Sequence, residues 1–522
     1  MPGTATRIRR GGACLPCHLR KKKCDGQPSC SSCARSQIRC EYVSPPPAPD
    51  FPSRSRAEEL QSRINELEIM LADAYYAPQY SSTAFLTNMQ ASSSVLVDPV
   101  SGDISDWLQQ ILRPTMIANK RHFNLYLHTS TLRSPPRPLL NAMNLVACHI
   151  LSLSATSDTR PTLQELEELK KLLLSKVHSG IHTSLEGARD LIAGSVCAPA
   201  LASQYLLQVG RFAEAHWLAS NAIRFAVSCG LHTIDRRWFR GAGGSPESTS
   251  SGFGGSFLVP ASSAREHHDR QMSWWLAFAA DGLVQMVAGL DSAVRPELRA
   301  CIGDVDCGIG QGREITTAFP LAESTYEGDN HANVYGTTIT HLLSSGWGEG
   351  NGDQEYGCMF GMRMRSLALF QIAALVSDDL DTSRSLDAGL PYNVDQRISA
   401  FIAGLPNLTY QDPSDTANGI EGQINPDMVM VYMLAYTAKL RLLASDALVN
   451  NGEQRFETSM AVGRLAAGLQ GETHYGWSQI VKKCCSEALQ VLSAESETRG
   501  VRPVEIESLH SLLGKLYLDT HA

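Results

Sequence analysis

Strand patterns are scarce in this 522-residue chain, and no uncharged run of 18 apolar residues occurs. The first absence argues against a sheet-based fold, and the second leaves no expected membrane span. The most apolar stretch, Trp274 to Leu290, is interrupted by Asp281 and Gln285. Residues 1–12 lack the apolar segment of a secretory signal, so a disulfide framework is not expected. There is no G-x-S-x-G, no H-E-x-x-H, no P-loop and no G-x-G-x-x-G after a strand. Catalysis is therefore not expected, and the chain reads as a non-enzyme.

What the chain does have is concentrated near its start. Cys14, Cys17, Cys24, Cys30, Cys33 and Cys40 form two copies of C-x2-C-x6-C joined by a five-residue loop. The other eight cysteines are scattered over residues 148–485, which argues against metal storage. A redox C-x2-C pair would not explain four further cysteines at a repeated spacing. Thiolates favour zinc, and structural zinc sites are closed and four-coordinate. Two Zn²⁺ ions need eight ligand positions, and six cysteines fill eight only if two of them bridge both metals. Such a cluster carries +4 from zinc and −6 from sulfur, a net −2. A zinc role for His18 is not expected, because the six thiolates already fill both metals.

About forty residues cannot bury enough apolar surface to fold alone. Ile8, Leu15, Leu19, Ile38, Tyr42 and Val43 are nearly all this segment can bury, so metal binding would supply much of its folding free energy. The segment His18-Leu19-Arg20-Lys21-Lys22-Lys23 lies between the second and third cysteines. Residues 1–42 hold nine Lys/Arg against Asp25 and Glu41, a net +7. The whole chain is −8, which leaves −15 for residues 43–522. A basic head can neutralise phosphates that the acidic body would repel.

The segment Ala13-Cys14-Leu-Pro-Cys17-His-Leu-Arg-Lys-Lys-Lys-Cys24-Asp25-Gly26, with Pro28 two residues before Cys30, resembles the DNA-binding domain of fungal zinc-cluster (Zn2Cys6) transcription factors. The resemblance implies a cofactor of two Zn²⁺. One ion would be held by Cys14, Cys17, Cys24 and Cys30, and the other by Cys14, Cys30, Cys33 and Cys40. It implies a short helix after each C-x2-C pair, the first entering the major groove of double-stranded DNA. Arg20 and Lys21 occupy the positions of the family's base-contacting pair, and a CGG-type triplet is the implied target. Lys22, Lys23, Arg35 and Arg39 suit phosphates or compensation of the cluster charge. His18 departs from the family's usual arginine and can still donate one hydrogen bond to phosphate. The implied setting is the nucleus, at RNA polymerase II promoters, with activation favoured over repression by family tendency.

Residues 44–56 form a proline-rich linker of extended character. Over residues 57–76, Ala57, Ile64 and Leu71 at a and Leu60, Leu67 and Ala74 at d predict a short coiled coil. Dimerisation through Leu60, Ile64, Leu67 and Leu71 is expected. Residues 77–104 read as a second linker and 105–522 as a helical regulatory region. Thr162 to Glu165 is a capping box opening a helix over Leu163 to Val177, with Glu167 and Lys171 as an i,i+4 pair. A helix over Arg211 to Cys229 closes at Gly230. Further helices are expected at 137–154, 187–208, 266–290, 358–378, 426–449, 456–470, 476–495 and 503–518, with loops at 241–263 and 303–356.

The fold class is therefore mainly α: a small binuclear zinc-cluster module, a short coiled coil and a large all-helical regulatory domain with long irregular insertions. Residues 105–310 resemble the fungal-specific transcription factor middle domain through Pro138 to His149, Gly210 to Trp217, Ala222 to His232 and Ser273 to Asp281. Two departures stand out. Gly282 replaces a common basic residue, and Val294-Arg-Pro-Glu-Leu-Arg299 replaces an acidic strip. Trp274 and Trp275 read as core, and His149, His216 and His232 as packed or surface histidines. Acidic-hydrophobic stretches at 98–112 and 376–390 are candidate coactivator contacts. The alternative reading makes the body the binding site of a small-molecule inducer. The coil has a direct test: an Ile64→Asp, Leu67→Asp double variant should bind paired DNA sites much less tightly, and unchanged affinity and stoichiometry would exclude the dimer.

Overall fold

A computed structural model describes residues 13–25, 27, 29–41, 97, 104–154, 161–180, 188–234, 258, 261–302, 314–321, 337–344, 358–381, 389–408, 424–444, 451–469, 477–500 and 503–519. The chain divides into two compact units, Met1–Met89 and Gln90–Ala522. The expected coiled coil, with Leu60, Ile64, Leu67 and Leu71, lies outside the described residues. In the first unit, α1 (Leu15–Leu19) and α2 (Ser31–Arg35) carry the cysteine repeat.

The second unit is helical, with no strand among its described residues beyond an isolated bridge between Val97 and Ile104. Its helices are α3 (Asp106–Asn119), α4 (Thr129–Arg133), α5 (Arg137–Ser154), α6 (Leu163–Gly180) and α7 (Ala188–Ile192), which runs through a π-turn at Ala193–Cys197 into α8 (Ala198–Gln208). Then come α9 (Phe212–Ser228), α10 (Ala264–Ala288), α11 (Arg295–Cys301), α12 (Ile339–Leu343), α13 (Met359–Asp381), α14 (Leu390–Gly404), α15 (Pro426–Leu443), α16 (Gly452–Gly468), α17 (Ser478–Arg499) and α18 (Glu505–Asp519). One apolar core runs from Ile104 to Leu516.

Local chemistry sets the helix ends. The Thr162 N–H donates to Glu165 Oε2 at 2.8 Å, and the Glu165 N–H donates to Thr162 Oγ1 at 3.3 Å, completing the expected capping box. Ser262 and Ser263 build an equivalent cap with Glu266 at the start of α10. Gly230 ends α9 at φ 76°, a left-handed position that glycine adopts without a Cβ clash. The Glu167–Lys171 pair does not form. Glu167 instead pairs with Lys170, which is buried and also donates to Ser152 Oγ at 3.1 Å, while Lys171 faces outward.

The segments Asp190–Gln208 and Met359–Asp381 are apolar enough by length and composition to cross a membrane, but both lie largely inside the bundle. α13 is apolar on every side because it is surrounded: it packs on α10, α11, α14 and α15. Its buried Arg363 donates to the Arg121 carbonyl at 2.7 Å, to Asn124 Oδ1 at 3.1 Å and to Asp427 Oδ1 at 2.9 Å, and it lies over the Trp477 ring. This one guanidinium joins chain segments more than 350 residues apart, Arg121 to Trp477. Trp274 and Trp275 are fully buried, as expected of core residues.

The region 303–356 is only partly the loop expected. Ile315 and Phe319 are buried, with Phe319 stacked on Trp275 and the Ala318 carbonyl accepting from Trp275 Nε1 at 2.8 Å. Residues 339–343 form α12, with Ile339 and Leu342 buried. Both pieces are too short to show a period in sequence, and each is held by a few anchors. The stretches considered as coactivator contacts are partly core in their described residues: Leu108, Leu112 and Val376 are buried and Asp379 is paired with Arg299, while Asp106, Trp107 and Asp381 are exposed.

Gly282 and the Val294–Arg299 stretch each have a local structural role. A Cβ at Gly282 would lie 2.1 Å from Gln371 Nε2 and 3.1 Å from Leu367 Cγ, so a side chain there would have to displace these α13 side chains. Asp281 accepts from Ser292 Oγ at 2.6 Å and from the N–H groups of Ala293 and Val294. It thereby fixes the turn into α11, and its burial raises its pKa. The Val294–Arg299 stretch is an ion-paired helix: Glu297 pairs with Arg224, Arg295 with Asp378, and Arg299 with Asp379.

His149 on α5 is buried against Tyr205, and burial followed by Lys170 lowers its pKa to about 4. The unfolded chain binds a proton at this position below the ordinary histidine pKa, whereas the folded chain does not until near its own lower value. Stability is therefore lost as pH falls. Between pH 7 and 5 this group should remove about 2 kcal/mol. His149→Leu should flatten that part of the pH dependence in urea melts, and an unchanged slope would contradict the assignment.

Candidate metal centre and nucleic-acid interface

The two halves of the N-terminal unit repeat at a spacing of sixteen residues. Cys14 and Cys30 are the N-caps of α1 and α2, Cys17 and Cys33 lie buried within those helices, and Cys24 and Cys40 follow half-buried. After each helix one residue takes a left-handed conformation, Lys21 at φ 49° and Gln37 at φ 50°. The next N–H then returns to the helix: Lys22 donates to the Cys17 carbonyl at 3.0 Å and Ile38 to the Cys33 carbonyl at 3.1 Å. A left-handed non-glycine residue costs about 1–2 kcal/mol, and here it reverses the chain toward the third cysteine of each half.

The six sulfurs converge. Cys14 Sγ lies 3.6 Å from Cys30 Sγ and 3.5 Å from Cys33 Sγ, and Cys24 Sγ lies 3.8 Å from Cys14 Sγ. Disulfide sulfurs sit at about 2.0 Å, so these are separate thiols. Ligand atoms within 4.8 Å of one another form two groups of four: Cys14, Cys17, Cys24 and Cys30, and Cys14, Cys30, Cys33 and Cys40. Cys14 and Cys30 belong to both. A tetrahedral zinc with Zn–S bonds of about 2.3 Å places its sulfurs roughly 3.8 Å apart, which fits this spacing. Burial raises the Cys14 thiol and pushes Cys33 up to about 12. Burial acts on Cys30 too, but the Cys33 N–H and the surrounding thiols outweigh it and bring Cys30 down to about 6. Zinc would displace the remaining protons.

Two hydrogen bonds cross between the halves at equivalent places. The Ser31 N–H, first in α2, donates to Asp25 Oδ2 at 3.0 Å, and the Leu15 N–H, first in α1, donates to the Glu41 carbonyl at 2.8 Å. Asp25 also accepts from the Ser31 hydroxyl, and these contacts, that hydroxyl first, lower its pKa. Reading the cysteines alone misses Asp25. The sixteen-residue repeat pairs it with Glu41 and shows that each half's residue after the third cysteine braces the other half's helix.

The basic residues His18, Arg20, Lys21, Lys22 and Lys23 are all exposed at the end of α1 and just beyond it. Of the apolar side chains expected to fill the module, Ile38 is half-buried and the two leucines are exposed. Leu15 is 40% and Leu19 73% exposed, and only cysteines are fully buried among the described residues of this unit. Ile8, Tyr42 and Val43 lie outside the described residues.

Residues 12–49 match the family described as the fungal Zn(2)-Cys(6) binuclear cluster domain. This segment is a fungal binuclear zinc-cluster module. Its cofactor is two zinc ions. The chain is also 41% identical over 76 residues to the C6 finger domain transcription factor hasF of Aspergillus fumigatus. That match covers 12% of this chain and 10% of the relative, so the chain spans about a tenth of the length of the curated relative it matches. No solved structure matches the chain.

Metal removal should separate the two units. A strong chelator should unfold the module and speed tryptic cleavage within the exposed Arg20–Lys23 run while the helical signal of the second unit persists, because its core contains no metal site among the described residues. Unchanged cleavage after chelation would contradict a metal-built module.

Proposed function

We propose that the protein is a nuclear DNA-binding transcription factor acting at RNA polymerase II promoters. The observation that carries this is one short unit in which two sulfur tetrads share Cys14 and Cys30 beneath an exposed cationic run. One zinc is held by Cys14, Cys17, Cys24 and Cys30, and the other by Cys14, Cys30, Cys33 and Cys40. The metals hold α1 so that its C-terminal end presents Arg20 and Lys21 to the major groove. Both can donate to guanine O6 and N7, and a CGG-type triplet is the target. His18, Lys22 and Lys23 contact phosphates, which give affinity and salt dependence without sequence information.

Residues 57–76 pair two copies, the linker before them sets half-site spacing, and the body from residue 105 regulates, activating rather than repressing. The relative's description as a C6 finger domain transcription factor supports the DNA-binding reading. For the alternative, an inducer bound by the body, the described residues offer a groove of about 510 Å³ between α17 and α18, lined by Ser486, Leu489, Gln490, Ser493, His510 and Leu513.

Selection of binding sites from random DNA with the full chain, at stated salt, tests the proposal. An enriched CGG-type triplet is expected, and no enriched triplet would overturn it. Lys21→Ala should cost about 1–3 kcal/mol and relax the preference at one base. A uniform loss across all sequences would make Lys21 a phosphate contact.

A further inference from the structure

The placement of Leu19 is the feature of the zinc module that metal binding leaves unexplained. It closes α1 and is 73% exposed, although the module has few apolar side chains to bury. At about 100° per residue, Leu19 sits roughly 200° around α1 from Cys17, on the side facing away from the sulfurs. Leu15, four residues earlier and 40% exposed, shares that outer side. Leu19 is followed immediately by the exposed Arg20 and Lys21, with His18 before it and Lys22 and Lys23 beyond. An apolar side chain in a cationic surround suits a partner that is polyanionic and yet offers an apolar group at the depth of its base edges. Duplex DNA meets both conditions, because the C5-methyl of thymine lies in the major groove beside the guanine acceptors.

We propose that Leu19 is a specificity-determining residue that packs on a thymine methyl next to the triplet read by Arg20 and Lys21. The inference rests on the DNA-binding reading above. Arg20 and Lys21 supply hydrogen-bond readout, and Leu19 adds one apolar contact that selects a T·A pair at a flanking position. Covering one methyl corresponds to roughly a threefold to fivefold change in affinity.

The test uses the full chain and the site obtained by selection, with each thymine in turn replaced by deoxyuridine, which lacks only the methyl. The unaltered protein should lose threefold to fivefold at one position beside the triplet. Leu19→Ala should bind the thymine site that much more weakly and no longer distinguish thymine from uracil there, while Leu19→Met should keep the distinction. Retention of two zinc ions would show that the variants stay folded. A protein blind to every methyl, a selected site with no flanking thymine, or a Leu19→Ala variant that still discriminates would overturn the role of Leu19 while leaving triplet recognition standing. A change of oligomeric state in Leu19→Ala without loss of thymine preference would also overturn it and assign the face to a second copy. Absence of any triplet selection would instead remove the DNA-binding reading itself.

Discussion

Shared sulfur at Cys14 and Cys30 is the constraint on which the N-terminal unit depends. These two side chains are fully buried and belong to both tetrads, so neither half can take its geometry without the other. Each also stands at the N-cap position of the helix that carries the next cysteine of its own half, and Cys30 Sγ accepts from the Cys33 N–H. The sixteen-residue repeat thus closes on itself through sulfur. Asp25 and the Glu41 carbonyl close it a second time through hydrogen bonds to Ser31 and Leu15. With metal replacing an apolar core, the leucines of α1 are left free for the surface.

The second unit is organised by a different economy. Its core is apolar and continuous from Ile104 to Leu516. Buried charges occur where helices from distant parts of the chain meet. Arg363 joins the turn after α3, the start of α15 and Trp477, and α11 is clamped by charges to α9 and α13. Breaking one side of such a pair leaves an uncompensated buried charge, which is strongly destabilising. These contacts fix one arrangement of the helices.

Much of this was legible in the sequence where the signal is local. Cysteine spacing indicated two metals, the Thr162–Glu165 box marked the start of α6, and Gly230 marked the end of α9. Most of the long helices were legible in the same way, but α3 and α14 were not among those expected. What stayed hidden depends on packing between distant segments. α12 and the strip around Phe319 are too short to show a period; Trp275 holds the strip, and α13 and α14 hold α12. The choice of Lys170 over Lys171 depends on where α5 lies. Acidic-hydrophobic composition at 376–390 suggested a surface, yet Val376 is core and Asp379 is spent on Arg299. Within the site, residue types were readable from spacing alone. The bracing role of Asp25 and the exposure of Leu19 needed the folded repeat.

Zinc stoichiometry bears on the account most directly. Native mass spectrometry of the full chain should find two zinc ions bound through six deprotonated cysteines. Cys14→Ser should lose both ions together, because that sulfur serves both tetrads. A single zinc per chain, or a Cys14→Ser protein that keeps one ion at full occupancy, would contradict the shared cluster.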